Sequence, residues 1–220
     1  MYSRDDQEGS LYTPTGERKY LTPDERQAFI SAARLTDRPE VGSFCLTLAL
    51  TGCRISEALA VTGASVIPDR GCLVLRCLKK RRAGIFRDVP VPDDLIDLLL
   101  SVHRTDGQRS DRLWTLSRGR YWHLVKEVMA AAGIKHGPHA TPKGLRHAFG
   151  LHAIRSGVPL NLVQRWLGHA SMTTTAIYLQ ALGDEEREIA SRMWSFTVKP
   201  RSSSGSLIPI SRPSATPETG

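Results

Sequence analysis

Lys143, Arg146 and His147 stand at i, i+3 and i+4 in the stretch Thr141-Pro142-Lys143-Gly144-Leu145-Arg146-His147. On a helix that spacing puts them at neighbouring positions of one face. Three potential cations so placed repel one another unless an anion sits among them, so the cluster is suited to binding one. Taken alone it also reads as a solvated basic face. Further along come Arg165-Trp166-Leu167-Gly168-His169, and then Tyr178. Val163, Trp166 and Leu167 form an apolar stripe that Gly168 ends, which leaves His169 at a helix junction and off the stripe. A histidine there commonly serves as a C-cap donor, and Tyr178, taken singly, reads as core.

The elements that must hold these residues can be read from their start and stop signals. Thr141-Pro142 opens a helix that reaches Ser156 and stops at Gly157, Pro159 opens a short one, and Ser171 can cap a third that carries Thr173 through Tyr178. Upstream, Thr22-Pro23-Asp24-Glu25 combines a cap, a proline at the first helical position and a capping box, and predicts a helix to about Leu35. The apolar run from Val41 to about Leu50 is too long for a typical strand and reads as a buried helix broken by Thr51-Gly52-Cys53. Arg54 opens the next short helix. The run from Cys72 to Leu78 reads as a strand paired with residues 86–91, with Lys79-Lys80-Arg81-Arg82-Ala83-Gly84 between them. Helices are expected again from Pro92 to Leu100 and from Arg118 to about Ala132, with a last amphipathic stretch from Glu185 to Met193.

The 220 residues carry 30 Lys plus Arg against 22 Asp plus Glu, a net charge of +8, which suits a polyanionic partner without identifying one. With 24% charged and 40% hydrophobic residues the composition is that of a globular chain able to bury one substantial core. Cys45, Cys53, Cys72 and Cys77 form no C-x-x-C pair and are expected to be free, mostly buried thiols. No apolar run approaches the roughly 18 residues of a membrane span, and no apolar leader follows Met1, so the expected location is the cytosol.

Several separated boxes, in order, give these residues a common meaning. Thr51-Gly52-Cys53-Arg54-Ile55-Ser56-Glu57-Ala58-Leu59, the strand with Lys79-Lys80 and Arg87-Asp88-Val89-Pro90, Lys143-Gly144-Leu145-Arg146-His147, Leu167-Gly168-His169 and Tyr178 together resemble the tyrosine recombinase (phage integrase) family. The match runs from about Leu21 to Phe196. Lys143 is a departure, because the family more often has histidine there.

The resemblance implies a mainly α (α+β) fold, helical with a small antiparallel β-sheet, in which residues 20–197 form the catalytic domain. Residues 1–19 are then a mobile N-terminal arm and residues 198–220, rich in Ser, Pro, Thr and Gly, a disordered tail. It implies site-specific cleavage and rejoining of double-stranded DNA through a covalent 3′-phosphotyrosyl intermediate. Tyr178 would be the nucleophile, and Arg54 and Arg146 would bind the non-bridging phosphate oxygens. Lys80 would be the general acid, with Lys79 an adjoining alternative, and Lys143 and His169 would contact the phosphate. Neither metal nor cofactor is required. Glu57 would be a structural partner of a basic residue, and His147 would mainly hold helix and site together.

Further expectations follow for partners. The family works as a homotetramer on synapsed sites, with residues Asp184 to Phe196 as the candidate docking segment. About fifty residues precede Arg54, where relatives carry a DNA-clamping domain, so DNA binding is expected to be weak and salt-sensitive, or helped by an accessory DNA-binding protein. The setting implied is the prokaryotic cytosol, on nucleoid or plasmid DNA. Two rivals share these residues: a type IB topoisomerase-like relaxase, and a non-catalytic DNA-binding relative.

Overall fold

A computed structural model describes residues 10–77, 84–105, 111–181 and 191. Lys79, Lys80, nearly all of the segment from Asp184 to Phe196, and the tail lie outside the described residues.

The first helix, α1 (Pro23–Leu35), begins as its sequence dictates. Thr22 accepts from the amide of Glu25, and the Glu25 carboxylate accepts from the amide of Thr22. It buries Phe29, Ile30 and Ala33 against α2 (Pro39–Thr51), whose residues 41–49 are all buried. That full burial explains why an apolar run with no polar face is a helix here and not a strand. The hydroxyls of Thr47 and Thr51 are satisfied by the carbonyls of Ser43 and Thr47, one turn back. Helix α2 therefore forms the axis of the domain, packed by α1, by α4 (Asp93–His103), by α5 (Arg118–Ala131) and by α6 (Pro142–Arg155). It ends at Gly52, whose left-handed φ of 63° turns the chain into α3 (Ile55–Ala58).

Three antiparallel strands, β1 (Val66–Ile67), β2 (Cys72–Arg76) and β3 (Phe86–Pro90), lie in the order β1-β2-β3. The register pairs Leu73 with Val89 and Leu75 with Arg87. Leu73, Leu75 and Val89 all point inward, and so does Arg87. Past α6, α7 (Leu160–Leu167) stops at Gly168, φ 69°, and α8 (Met172–Ala176), capped by Ser171, runs into a 3-10 turn over Ile177–Ala181. Tyr178 sits in that tighter turn and not on the α-helix proper. The four cysteines are free and buried, and among the described residues no helix is long and apolar enough to cross a membrane.

The N-terminal segment departs from expectation. Residues 10–19, expected to belong to a mobile arm, fold back on the domain as a small turn with a Tyr12–Arg18 bridge. Arg18 makes a two-pronged ion pair with Glu25 at 2.5 and 2.6 Å. Leu11 is only 2% exposed and joins the cluster of Phe149, Leu151, Ile154, Val163, Leu167 and Tyr178. One anchoring leucine leaves no periodicity to read, because its apolar partners come from the far end of the chain. Leu11→Ala is expected to cost about 2–3 kcal/mol of unfolding free energy. Urea denaturation would measure it, and an unchanged midpoint would mean that the segment does not dock.

Candidate active site

The left-handed turn at Gly52 places Arg54 at the start of α3, with its side chain 28% exposed. Glu57, one turn on, is buried and takes two bonds from Arg54: the backbone amide at 2.9 Å and Nη1 at 3.0 Å. The same carboxylate receives Nη2 of Arg87 at 2.7 Å and Nη1 at 3.4 Å. Burial pushes Glu57 up, but the hydrogen bond and charge of Arg87, followed by those of Arg54, more than offset it and hold the carboxyl below its ordinary range. The partner expected for Glu57 is thus two guanidiniums.

Helix α6 starts at Thr141, which accepts from the amide of Gly144. From Gly144 to Leu151 the helix is buried, so the expected basic face splits: Lys143 is exposed in the first turn while Arg146 and His147 point into the domain. Gly144 allows the helix to pass close to the preceding loop, since a Cβ there would fall 1.8 Å from the carbonyl oxygen of His139. Arg146 donates to the carbonyls of Gly52 and Leu167, both at 2.7 Å. Burial, and then the nearby Arg54 charge, bring its pKa down to about 10, so it remains a cation at neutral pH.

Tyr178 is fully buried. Its ring lies over Gly150, where a Cβ would come within 2.5 Å of Cζ. Its hydroxyl is 3.4 Å from Nδ1 of His147, and the His169 ring stacks beside it with centroids 6.3 Å apart. Burial raises the phenol to about 12 against the lowering fields of Arg146 and Arg54. Both guanidiniums thus act on this hydroxyl, while the phenol remains neutral and out of reach of solvent. No reactant from solvent can touch the hydroxyl while the ring is so placed.

His169 follows the left-handed Gly168, and its Nδ1 is 2.9 Å from Oγ1 of the buried Thr175. Burial first, then Arg146 and Arg54, bring its pKa to about 3, so it acts as a neutral imidazole. The site therefore gathers Arg54, Arg146, His169 and Tyr178. Lys143 stands on its rim in sequence terms, one turn from Arg146, and Lys80 falls outside the described residues, although Cys77, at the base of its hairpin, is fixed by a bond to the Ile85 carbonyl. Sequence reasoning did not single out Thr175, which orients His169, or the burial of Arg87. A threonine among three threonines carries no signal, and an arginine in a strand reads as solvent-facing.

A mainly helical domain with a small antiparallel sheet, bringing two arginines, a histidine and a tyrosine together, has the form of a tyrosine recombinase catalytic domain. The phage integrase family model matches residues 19–185, and the chain belongs to that family. Among curated relatives, the tyrosine recombinase XerA of Pyrococcus furiosus is 30% identical over 186 residues, covering 79% of this chain and 61% of the relative. XerD of Neisseria meningitidis is 35% identical over 136 residues, covering 58% and 46%. The chain thus spans roughly half to three-fifths of the length of these relatives. Of solved structures, a XerA recombinase crystal structure superposes with a TM-score of 0.65 at 25% identity, covering 79% of this chain and 64% of that one. The catalytic domain of bacteriophage HP1 integrase superposes at 0.60 and 21% identity, covering 79% and 93%.

The buried histidines give the domain an acid-sensitive stability. Burial, aided by Lys143 and Arg146, brings His147 from 6.5 to about 3. The unfolded chain therefore binds more protons than the native one between those values. Stability is fully present above pH 6.5 and falls as pH drops below it, by up to about 1.4 kcal/mol per pH unit for each such histidine. Urea unfolding at pH 7.5 and 5.5 should show this loss in the wild type and a smaller one in His147→Gln. Equal losses in the two proteins would contradict it.

Proposed function

We propose that this chain carries the chemistry of site-specific strand exchange on double-stranded DNA, working in the cytoplasm of a prokaryotic cell. The observation that carries this reading is the cluster around the buried Tyr178: the His169 ring stacked beside it, Nδ1 of His147 3.4 Å from its hydroxyl, and the Arg146 cation tied to the carbonyls of Gly52 and Leu167, just ahead of Arg54 and His169. Transesterification at a phosphodiester builds charge on the two non-bridging oxygens. Forked guanidiniums stabilise that charge more in the transition state than in the ground state.

In this reading Tyr178, turned out of its slot into solvent, attacks phosphorus and gives up its phenolic proton to water as the O–P bond forms. The bond to the 5′-oxygen breaks, and Lys80, or its neighbour Lys79, supplies the proton that the leaving oxygen needs. The covalent 3′-phosphotyrosyl link conserves the bond energy, so a 5′-hydroxyl from another strand can attack it and rejoin the DNA without ATP. His169 donates a hydrogen bond to the phosphate, and Lys143 contributes charge from the first turn of α6. The curated relatives are named as recombinases, which supports exchange over simple relaxation. Two sites exchanging strands need several active protomers, and a homotetramer that docks through residues 184–196 fits that need.

Incubation with duplexes nicked near a candidate site should trap a covalent protein–DNA adduct. Tyr178→Phe is expected to abolish the adduct while leaving duplex binding within about two-fold, since the phenol is buried and makes no phosphate contact before it moves. An adduct formed by that variant would overturn the assignment. Truncation after Gln180 should leave DNA binding intact and remove recombination between paired sites. Undiminished strand exchange by the shortened protein would refute the docking role of the segment.

A further inference from the structure

Arg87 occupies a place where the sheet otherwise buries aliphatic side chains, opposite Leu75 and two residues from Val89. Its side chain is 3% exposed and that of its partner Glu57 is 1% exposed. A buried ion pair of this kind contributes little net stability over an apolar pair of similar volume, because desolvation offsets most of the attraction. What it does provide is geometry, since a guanidinium distributes its donors in a fixed planar fork.

Each arm of that fork reaches a different part of the site. Nε donates to the Trp166 carbonyl at 2.7 Å, in the last turn of α7. Nη2 and Nη1 donate to the Glu57 carboxylate, which in turn holds both the amide and Nη1 of Arg54. Nη1 also meets Sγ of Cys77 at 3.2 Å, at the base of the lysine hairpin. Gly168 presses against the guanidinium, since a Cβ there would lie 3.0 Å from Nη1. The next carbonyl along, Leu167, belongs to Arg146. Two guanidiniums therefore hold consecutive carbonyls at the end of α7, one glycine ahead of His169.

We propose that Arg87 is a positioning residue for cleavage: by fixing Glu57 and the end of α7 in one frame, it aims Arg54 at the same phosphate that Arg146 and His169 address. This rests on the transesterase reading above. Arg87 touches neither DNA nor the reacting atoms. Its effect is carried by the orientation of Arg54, so replacing it should weaken the neutralisation of charge on the non-bridging oxygen and leave DNA binding alone. Lysine keeps the charge but not the fork, and Arg87→Lys is the informative change.

The test is single-turnover adduct formation by the full chain on two nicked duplexes, one with an ordinary phosphate at the scissile position and one with a neutral methylphosphonate. On phosphate, Arg87→Lys should be slower by about 100-fold, the scale of losing one well-aimed donor to a developing oxyanion, with duplex affinity within about two-fold. On methylphosphonate the gap should shrink to less than about ten-fold, because less charge then needs neutralising. Glu57→Gln should reproduce the same substrate-dependent gap, and the double variant should be no worse than the poorer single one. An equal deficit on both duplexes, no deficit, or lost DNA binding overturns the inference while leaving the reading of Tyr178 in place. Failure of both single variants to fold would make the pair a structural support only, and overturns it too. No adduct from the wild type on either duplex overturns the underlying reading and this inference with it.

Discussion

The architecture depends on a buried cation whose hydrogen bonds, among the described residues, run to backbone carbonyls. Arg146 reaches from α6 to the carbonyls of Gly52 and Leu167, the C-terminal ends of α2 and α7. Helix C-termini carry partial negative charge and carbonyls without intrahelical partners, so one guanidinium answers both needs at once. This joins the start of α3, where Arg54 stands, to the junction that carries His169. Residues nearly a hundred positions apart in sequence thereby share one pocket. Because its hydrogen-bond acceptors are carbonyl dipoles with no formal charge, those bonds do not neutralise Arg146.

Around this bond the charges are graded. Glu57 serves Arg54 and Arg87 together, so one negative group tethers two positive ones. With Arg146 added, the pocket keeps a surplus of cation. The same field keeps His147 and His169 neutral, since burial and the adjacent guanidiniums both disfavour the imidazolium. Neutral imidazoles can still donate one hydrogen bond each without adding to the repulsion.

Much of this frame was legible from local chemistry. Thr22 with Glu25, Thr141 with Pro142, Gly52 and Gly168 announce starts and stops because the physics of capping acts within a few residues. The spacing of Lys143, Arg146 and His147 correctly marked a helix, but it did not reveal that Lys143 would face solvent and the other two the interior. That division is set by what packs on α6, and periodicity at so short a span does not resolve it. Arg87 was hidden for a related reason: strand alternation says which side it shares with Val89, and only the tertiary arrangement supplies a buried carboxylate to meet it. Leu11 finds its partners through long-range contacts, and Thr175 meets His169 across the turn between α7 and α8, so neither leaves a trace in its immediate neighbours. The order of the boxes, by contrast, was sufficient to identify the family, since separated motifs in register are far harder to produce by chance than any one of them.

The bare backbone at Gly150 lets a tyrosine ring lie close on α6, sealed from water with His147 at its hydroxyl and His169 stacked beside it. On the role proposed for Tyr178, such a berth makes reactivity a matter of occupancy. The observed rate of any reaction at Tyr178 is the intrinsic rate multiplied by the fraction of molecules whose ring has left the berth. Each additional 1.4 kcal/mol of ring packing lowers that fraction about tenfold. In that proposed role, the apolar contacts around α6 set how often the domain is armed, independently of how well the guanidiniums stabilise the transition state.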